Sequence, residues 1–220
     1  MFDSERVDRE IWQAIATRRG HEFPDVLHDS LVGRSQADSD ELLGTHFGPE
    51  FPLAEWRAEV GAQWHQRVCS EGLPHKPGLL ELLNFLDLVA MPTAVATSTA
   101  RAKALLCLGP LAQRFKALAF GNEVSHAKPA PDLYLLAAAR LGVERGECLA
   151  LEDSPAGLAA AQAAGMTAIL VPDLIVPTIA PPFVCRSLGD ITEWLRRIRN
   201  KRLHDERWGK HEYNDSDTPP

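Results

Sequence analysis

The stretch from Cys148 to Gly165, Cys-Leu-Ala-Leu-Glu-Asp-Ser-Pro-Ala-Gly-Leu-Ala-Ala-Ala-Gln-Ala-Ala-Gly, constrains the fold of this chain more than any other. It opens on a short apolar run, Cys148 to Leu151, of the kind a buried parallel strand needs. Glu152 and Asp153 follow where that strand should end, and Ser154-Pro155 reads as the N-cap and first residue of a helix. The helix is rich in alanine, so it can lie close on a sheet, and Gly165 stops it. In open α/β sheets ligands bind outside the carboxyl ends of the strands. Two carboxylates at such an end suit Mg²⁺, which takes one or two carboxylates together with phosphate and water. The same residues also suit a plain helix cap, and this segment alone does not separate the two.

The rest of the chain supplies the partners. Thr93–Ala96, Ala117–Phe120 and Thr167–Val171 read as further strands, and Val184-Cys185 as a short edge strand. Helices alternate with them: one opened by Pro77, then Arg101–Leu108, Leu133–Leu141 and Ile191–Ile198. Such alternation predicts a parallel sheet with crossover helices. Before residue 90 no β-branched alternation occurs. Residues 4–19, with Ser4 as cap and Val7, Ile11, Trp12 and Ile15 at helical spacing, begin an all-helical unit. About 24–31, 37–47 (after Ser35) and 53–71 continue it, punctuated by Gly33, Gly48-Pro49 and Pro52.

The expected layout is therefore a helical unit over 5–72, an α/β core from 1–4 and 73–200, and a polar tail over 201–220. The tail has no apolar period, so it is expected to be disordered or loosely docked, with Trp208 and Tyr213 as anchors. A net charge of −7 argues against a nucleic-acid surface. No apolar run reaches membrane-spanning length, the N-terminus lacks signal-peptide character, and the four cysteines form no Cys-x-x-Cys pair. A cytoplasmic monomer with reduced thiols is the expectation.

Each strand end carries a group useful in phosphoryl chemistry. Thr97 and Ser98 offer hydroxyls and N–H groups at a strand-to-helix junction, Lys128 brings a cation on a proline-stiffened loop, and Glu152 with Asp153 can hold a metal. Taken singly, Thr97-Ser98-Thr99 is equally a cap and Lys128 a solvated lysine. Their order and spacing are harder to explain that way.

From Phe2 to about Asp190 the chain resembles the haloacid dehalogenase superfamily, in its β-phosphoglucomutase-like branch with a helical cap. The segments that carry the likeness are Phe-Asp-Ser-Glu (2–5), Ala-Val-Ala-Thr-Ser (94–98), Gly-Asn-Glu-Val (121–124), Lys-Pro-Ala-Pro-Asp (128–132) and Leu-Glu-Asp-Ser-Pro-Ala-Gly (151–157). The resemblance implies an α/β fold, a Rossmann-like parallel sheet with an inserted helical cap. It implies a Mg²⁺-dependent phosphatase of a small phosphorylated metabolite, of which a sugar phosphate is one case; a phosphomutase is a variant. Thr97 would then bind the transferring phosphoryl group with Ser98, and Lys128 would neutralise charge. Asp153, supported by Glu152, would hold Mg²⁺, and Gly33, Arg34 and Thr99 would face the substrate. Arg34 equally suits a solvated surface position.

Relatives carry Asp-x-Asp-Gly just before a Phe-Asp-Ser-Glu-like segment, the first Asp as nucleophile and the second as acid and base. Here Met1 stands immediately before Phe2, so both aspartates and the central strand bearing them are missing from these 220 residues. Asp3 corresponds to the acidic residue that trails the motif, and Asp8 lies on a helix face. Losing a central strand would leave its neighbours about 9–10 Å apart with unpaired backbone groups. The retained pattern of the other strands predicts a protein that begins upstream of Met1. A catalytically inactive relative that binds a phosphorylated ligand or a protein partner is the competing expectation, and an unstable fragment the third.

Overall fold

The computed structural model describes residues 1–32, 36–172 and 184–208. The chain divides into two units, Met1–Pro74 and His75–Pro220.

The first unit is helical: α1 (Ser4–Arg18), α2 (Asp25–Leu31), α3 (Gln36–Phe47) and α4 (Leu53–Glu71). In α1 the apolar residues fall one helical turn apart, and Val7, Ile11, Trp12 and Ile15 are all buried. Aromatic rings fill the space between the helices. Trp12 stacks on Phe23 at 5.2 Å, Phe47 on Phe51 at 4.3 Å, and Phe51 tilts against Trp56 at 4.7 Å. Trp56 and Leu43 are fully enclosed. Ser4 is the first residue of α1 rather than its cap: Asp3 precedes the helix and no side chain caps it. Residues 1–4, expected with the α/β core, fall in this unit, where Asp3 N–H donates to Pro74 O at 2.9 Å.

The second unit contains α5 (Leu79–Leu88), β1 (Ala94–Thr97), α6 (Arg101–Leu108), β2 (Ala117–Phe120), α7 (Asp132–Leu141), β3 (Leu149–Glu152), α8 (Pro155–Ala163), β4 (Thr167–Leu170) and α9 (Leu188–Trp208). Short 3₁₀ turns at Gly109–Arg114, Gly121–Glu123 and Arg145–Glu147 join them. Pro77 does not start α5. Gly78, in the left-handed region at φ 83°, turns the chain first, and a Cβ there would lie 2.4 Å from Gly189 N. Val184 makes a bridge to Leu170, parallel to it, as expected of an edge strand. The last helix reaches Trp208, eight residues past the boundary expected at residue 200, because the apolar period of its core face (Leu188, Ile191, Trp194) anchors a longer helix. Tyr213 lies outside the described residues.

The strands pair in parallel, as the alternation predicts, but in two separate ladders. β1 pairs with β2 (Ala94 opposite Ala117 through Thr97 opposite Phe120) and β3 with β4 (Leu149 opposite Thr167 through Glu152 opposite Leu170). No ladder joins β1 to β3 among the described residues. Two layers of helix cover the strands. On one side α7 lies over β1 and β2, and α8 over β3 and β4, through small residues such as Ala137, Ala138, Ala160 and Ala161. On the other, Leu82, Leu83 and Leu86 of α5 meet Ile191 and Trp194 of α9 around Ile169.

All four cysteines are free thiols. Cys69 is exposed on α4, with its Sγ 3.5 Å from His65 Nε2. Burial pushes the thiols of Cys107, Cys148 and Cys185 up, which lowers their thiolate fraction. Titration of the native chain with an aromatic disulfide is therefore expected to show one fast thiol, lost in Cys69→Ser, and three slow ones.

Candidate active site

Strand β3 ends on Glu152, whose carboxylate is drawn inward to 8% exposure, and the chain then turns so that Asp153 is exposed. Glu152 is fully engaged. Its Oε1 accepts from Lys128 Nζ and from the Tyr134 hydroxyl, and Ser154 Oγ donates to its Oε2 at 3.4 Å. Ser154 is also the N-cap of α8, accepting from Gly157 N–H at 3.1 Å, so the helix-cap expectation and the site expectation both apply to it. Gly157 makes room for the carboxylate, since a Cβ there would stand 1.9 Å from Glu152 Oε2.

Lys128 arrives on the loop between β2 and α7, after which the Lys128–Pro129 peptide is cis. Its side chain is only 13% exposed. Besides pairing with Glu152, its ammonium donates to Ala96 O of β1 at 3.3 Å and lies 5.1 Å from the centroid of the Tyr134 ring. A side chain thus connects the two ladders at their carboxyl ends. A buried ion pair of this kind needs its remaining lone pairs and protons satisfied, and here Tyr134, Ser154 and Ala96 do that. Burial first, and then the Glu152 carboxylate, push the Tyr134 hydroxyl far above the usual phenol range, so it stays protonated as a donor.

The end of β1 forms the other wall. Thr97 Oγ1 accepts from Thr99 N–H at 3.2 Å, which closes a tight turn ahead of α6. Ser98 is exposed at this turn, and its carbonyl presses on Gly121. Asn122 Oδ1 accepts from Arg101 N–H at 2.9 Å and so caps α6 from a neighbouring loop. Glu123 ties the same loop down, accepting from Phe120 N–H at 3.0 Å and Arg140 at 2.6 Å, and pairing with Arg101 at 3.3 Å. The Arg140 guanidinium holds the Glu123 carboxyl below the usual carboxylate range. On the Lys128 loop, His126 Nδ1 lies 2.8 Å from Asp132 Oδ1, and this contact keeps the Asp132 carboxyl low.

Of the residues singled out from sequence, Lys128 and Glu152 are brought into contact, with Asp153 next to Glu152 in the chain. Thr97 closes β1 one residue beyond the carbonyl that Lys128 reaches. Gly33 and Arg34, with Ser35, lie outside the described residues. Sequence reading missed Tyr134, Asn122 and Glu123 as organisers. The one signal for Tyr134 was a lone phenol amid the Leu and Ala residues that fill α7 between Asp132 and Arg140.

Similarity to known proteins agrees with this geometry. A model of the haloacid dehalogenase-like hydrolases matches residues 1–165. The chain belongs to that family. CbbY of Rhodobacter capsulatus is 44% identical over 185 residues, covering 78% of this chain and 81% of that protein. A phosphorylated carbohydrates phosphatase of Thermotoga maritima is 30% identical over 171 residues, covering 77% and 79% respectively. Among solved structures, a candidate β-phosphoglucomutase of Thermotoga maritima superposes with a TM-score of 0.77 at 26% identity, covering 90% of this chain and 94% of the other. The haloacid dehalogenase-like match spans Thr97, Lys128, Glu152 and Asp153 alike.

Among the described residues no three His, Cys, Asp or Glu side chains gather as a metal cluster. A Mg²⁺ held chiefly by substrate phosphate and water needs only one or two protein carboxylates, and exposed Asp153 is of the right kind for it.

Proposed function

We propose that this chain carries the phosphate- and Mg²⁺-holding side of a phosphatase site for small phosphorylated metabolites, sugar phosphates among them. The observation that supports this most is the buried Lys128–Glu152 pair between the carboxyl ends of β1 and β3. Lys128 supplies a fixed cation for non-bridging phosphate oxygens, with its own charge balanced from behind by Glu152. The Thr97 hydroxyl and the N–H groups of the turn at Ser98 hold the phosphate against β1. Asp153 would hold Mg²⁺, which would supply positive charge to the phosphoryl oxygens. Glu152 anchors Lys128. The phosphorylated-carbohydrate phosphatase among the relatives, and a second relative named validoxylamine A 7′-phosphate phosphatase, make a phosphorylated carbohydrate-like substrate the first class to test.

None of the 220 stands in the Asp-x-Asp-Gly position, and among the described residues β1 and β3 are linked by a lysine side chain rather than by a strand. Calorimetry of the 220-residue chain with inorganic phosphate and Mg²⁺ is expected to show binding without hydrolysis of sugar phosphates. Asp153→Asn should abolish the Mg²⁺ dependence, and Lys128→Ala the phosphate binding itself. Absence of phosphate binding by the unaltered chain would defeat the proposal.

A further inference from the structure

We propose that Tyr134 is the positioning residue of this site, a clamp that grips both members of the Lys128–Glu152 pair and fixes the ammonium in its phosphate-facing place. This rests on the reading of Lys128 as the phosphate-binding cation. Tyr134 sits on the first turn of α7, on the face turned to the strands, and is 7% exposed. Its two ends act on different partners. The hydroxyl donates to Glu152 Oε1, the same oxygen that takes Lys128, while the ring face lies 5.1 Å from Lys128 Nζ. The phenol therefore fixes the carboxylate by a hydrogen bond and the ammonium by its π-electrons.

This arrangement answers a specific problem. Lysine is a flexible four-carbon stem with a point charge, which by itself fixes no direction. Glu152 has several rotamers and lies next to Asp153, where a metal would attract it. A buried hydroxyl that donates to the carboxylate from the fixed first turn of a helix removes that freedom. Glu152 is then held as the counter-ion of Lys128, and Asp153 is left as the metal's carboxylate. Leucine or alanine at position 134 would fill part of the volume and do neither.

The test separates the ring from the hydroxyl. Tyr134→Phe keeps the ring and loses the donor, and Tyr134→Leu loses both. Affinity for inorganic phosphate, measured by calorimetry well below the melting temperature, is expected to fall roughly ten-fold in Tyr134→Phe and further in Tyr134→Leu. Selective labelling of lysines by reductive methylation, read by mass spectrometry, is expected to accelerate at Lys128 in both variants and to stay unchanged at Lys103 and Lys116. A Tyr134 that only packs the core would lower the melting temperature and leave both readouts at their unaltered values, which would overturn the proposal. If the unaltered chain binds no phosphate, the phosphatase reading fails, yet the Lys128 labelling still decides the role of Tyr134. A measurement on the unsubstituted residue removes dependence on variant folding. In a Tyr213→Phe chain Tyr134 is the sole tyrosine, and its Raman doublet should carry the signature of a strong hydrogen-bond donor. A doublet typical of an acceptor or a free hydroxyl would refute the clamp.

Discussion

Replacing Lys128 by Met is expected to destabilise the chain by about 3–5 kcal/mol and to abolish phosphate binding together. The stability loss follows from burial. The side chains of Lys128 and Glu152 are only 13% and 7% exposed, so removing the cation strands a carboxylate that cannot reach water. The loss of one partner of a buried pair costs several times what an exposed pair contributes. Urea denaturation would check the first effect and calorimetry with phosphate the second. The double variant Lys128→Met/Glu152→Leu separates them. An apolar pair of similar volume is expected to recover most of the lost stability, since no charge is then left buried. Phosphate binding is expected to stay absent, because the cation itself is what the anion needs. Recovery of binding in the double variant would show that Lys128 serves the fold alone.

The second large effect is expected at Gly121. A Cβ there would stand 2.0 Å from Ser98 O and 2.6 Å from Ser98 C, both backbone atoms with no flexible side chain to yield. Gly121→Ala must therefore push apart the end of β2 and the turn Thr97-Ser98-Thr99. Gly121 N–H also donates to Thr99 O at 3.2 Å, so the same shift breaks a hydrogen bond that holds the turn. A destabilisation of about 2–4 kcal/mol is expected, from overpacking with a backbone bond lost on top. Phosphate affinity should fall even in the fraction that remains folded. Gly142→Ala is the control. Its φ of 71° carries strain for any other residue, but no atom lies within 4 Å of the added Cβ. It should lose stability through the backbone alone and leave phosphate binding unchanged. Equal loss of binding in both variants would remove the special role of the Gly121 contact.

Much of the element layout was legible because its signals are local. Helices α4 and α6 and strand β2 were expected at the bounds observed, from apolar period, punctuating Gly and Pro, and short β-like runs. The cap of α1 and the start of α5 were misjudged for a related reason. Ser4 and Pro77 have the right chemistry for helix starts, but whether a cap bond forms depends on where the preceding chain is held. Asp3 is fixed by Pro74, and Gly78 is forced to a positive φ beside Gly189. The reach of α9 past residue 200 was also hidden, since polar residues 201–208 carry no apolar period of their own.

For the site, the sequence by itself determined which groups are present and which strand ends they follow. Thr97-Ser98 at the end of β1, Lys128 after β2 and Glu152-Asp153 at the end of β3 are consequences of local order along the chain, and the family likeness rests on the same segments. Tertiary structure alone decided how these groups divide their work. Glu152 and Asp153 are neighbours in sequence and chemically alike, yet one is buried against Lys128 and the other is open to solvent. That difference depends on Lys128, 24 residues away, on Tyr134, 18 residues away, and on a glycine at 157 that leaves space for the carboxylate. Local propensity has no term for contacts at such separations. Desolvation and close packing act between elements, so the roles of two adjacent carboxylates are settled only when the strands and helices that surround them are in place.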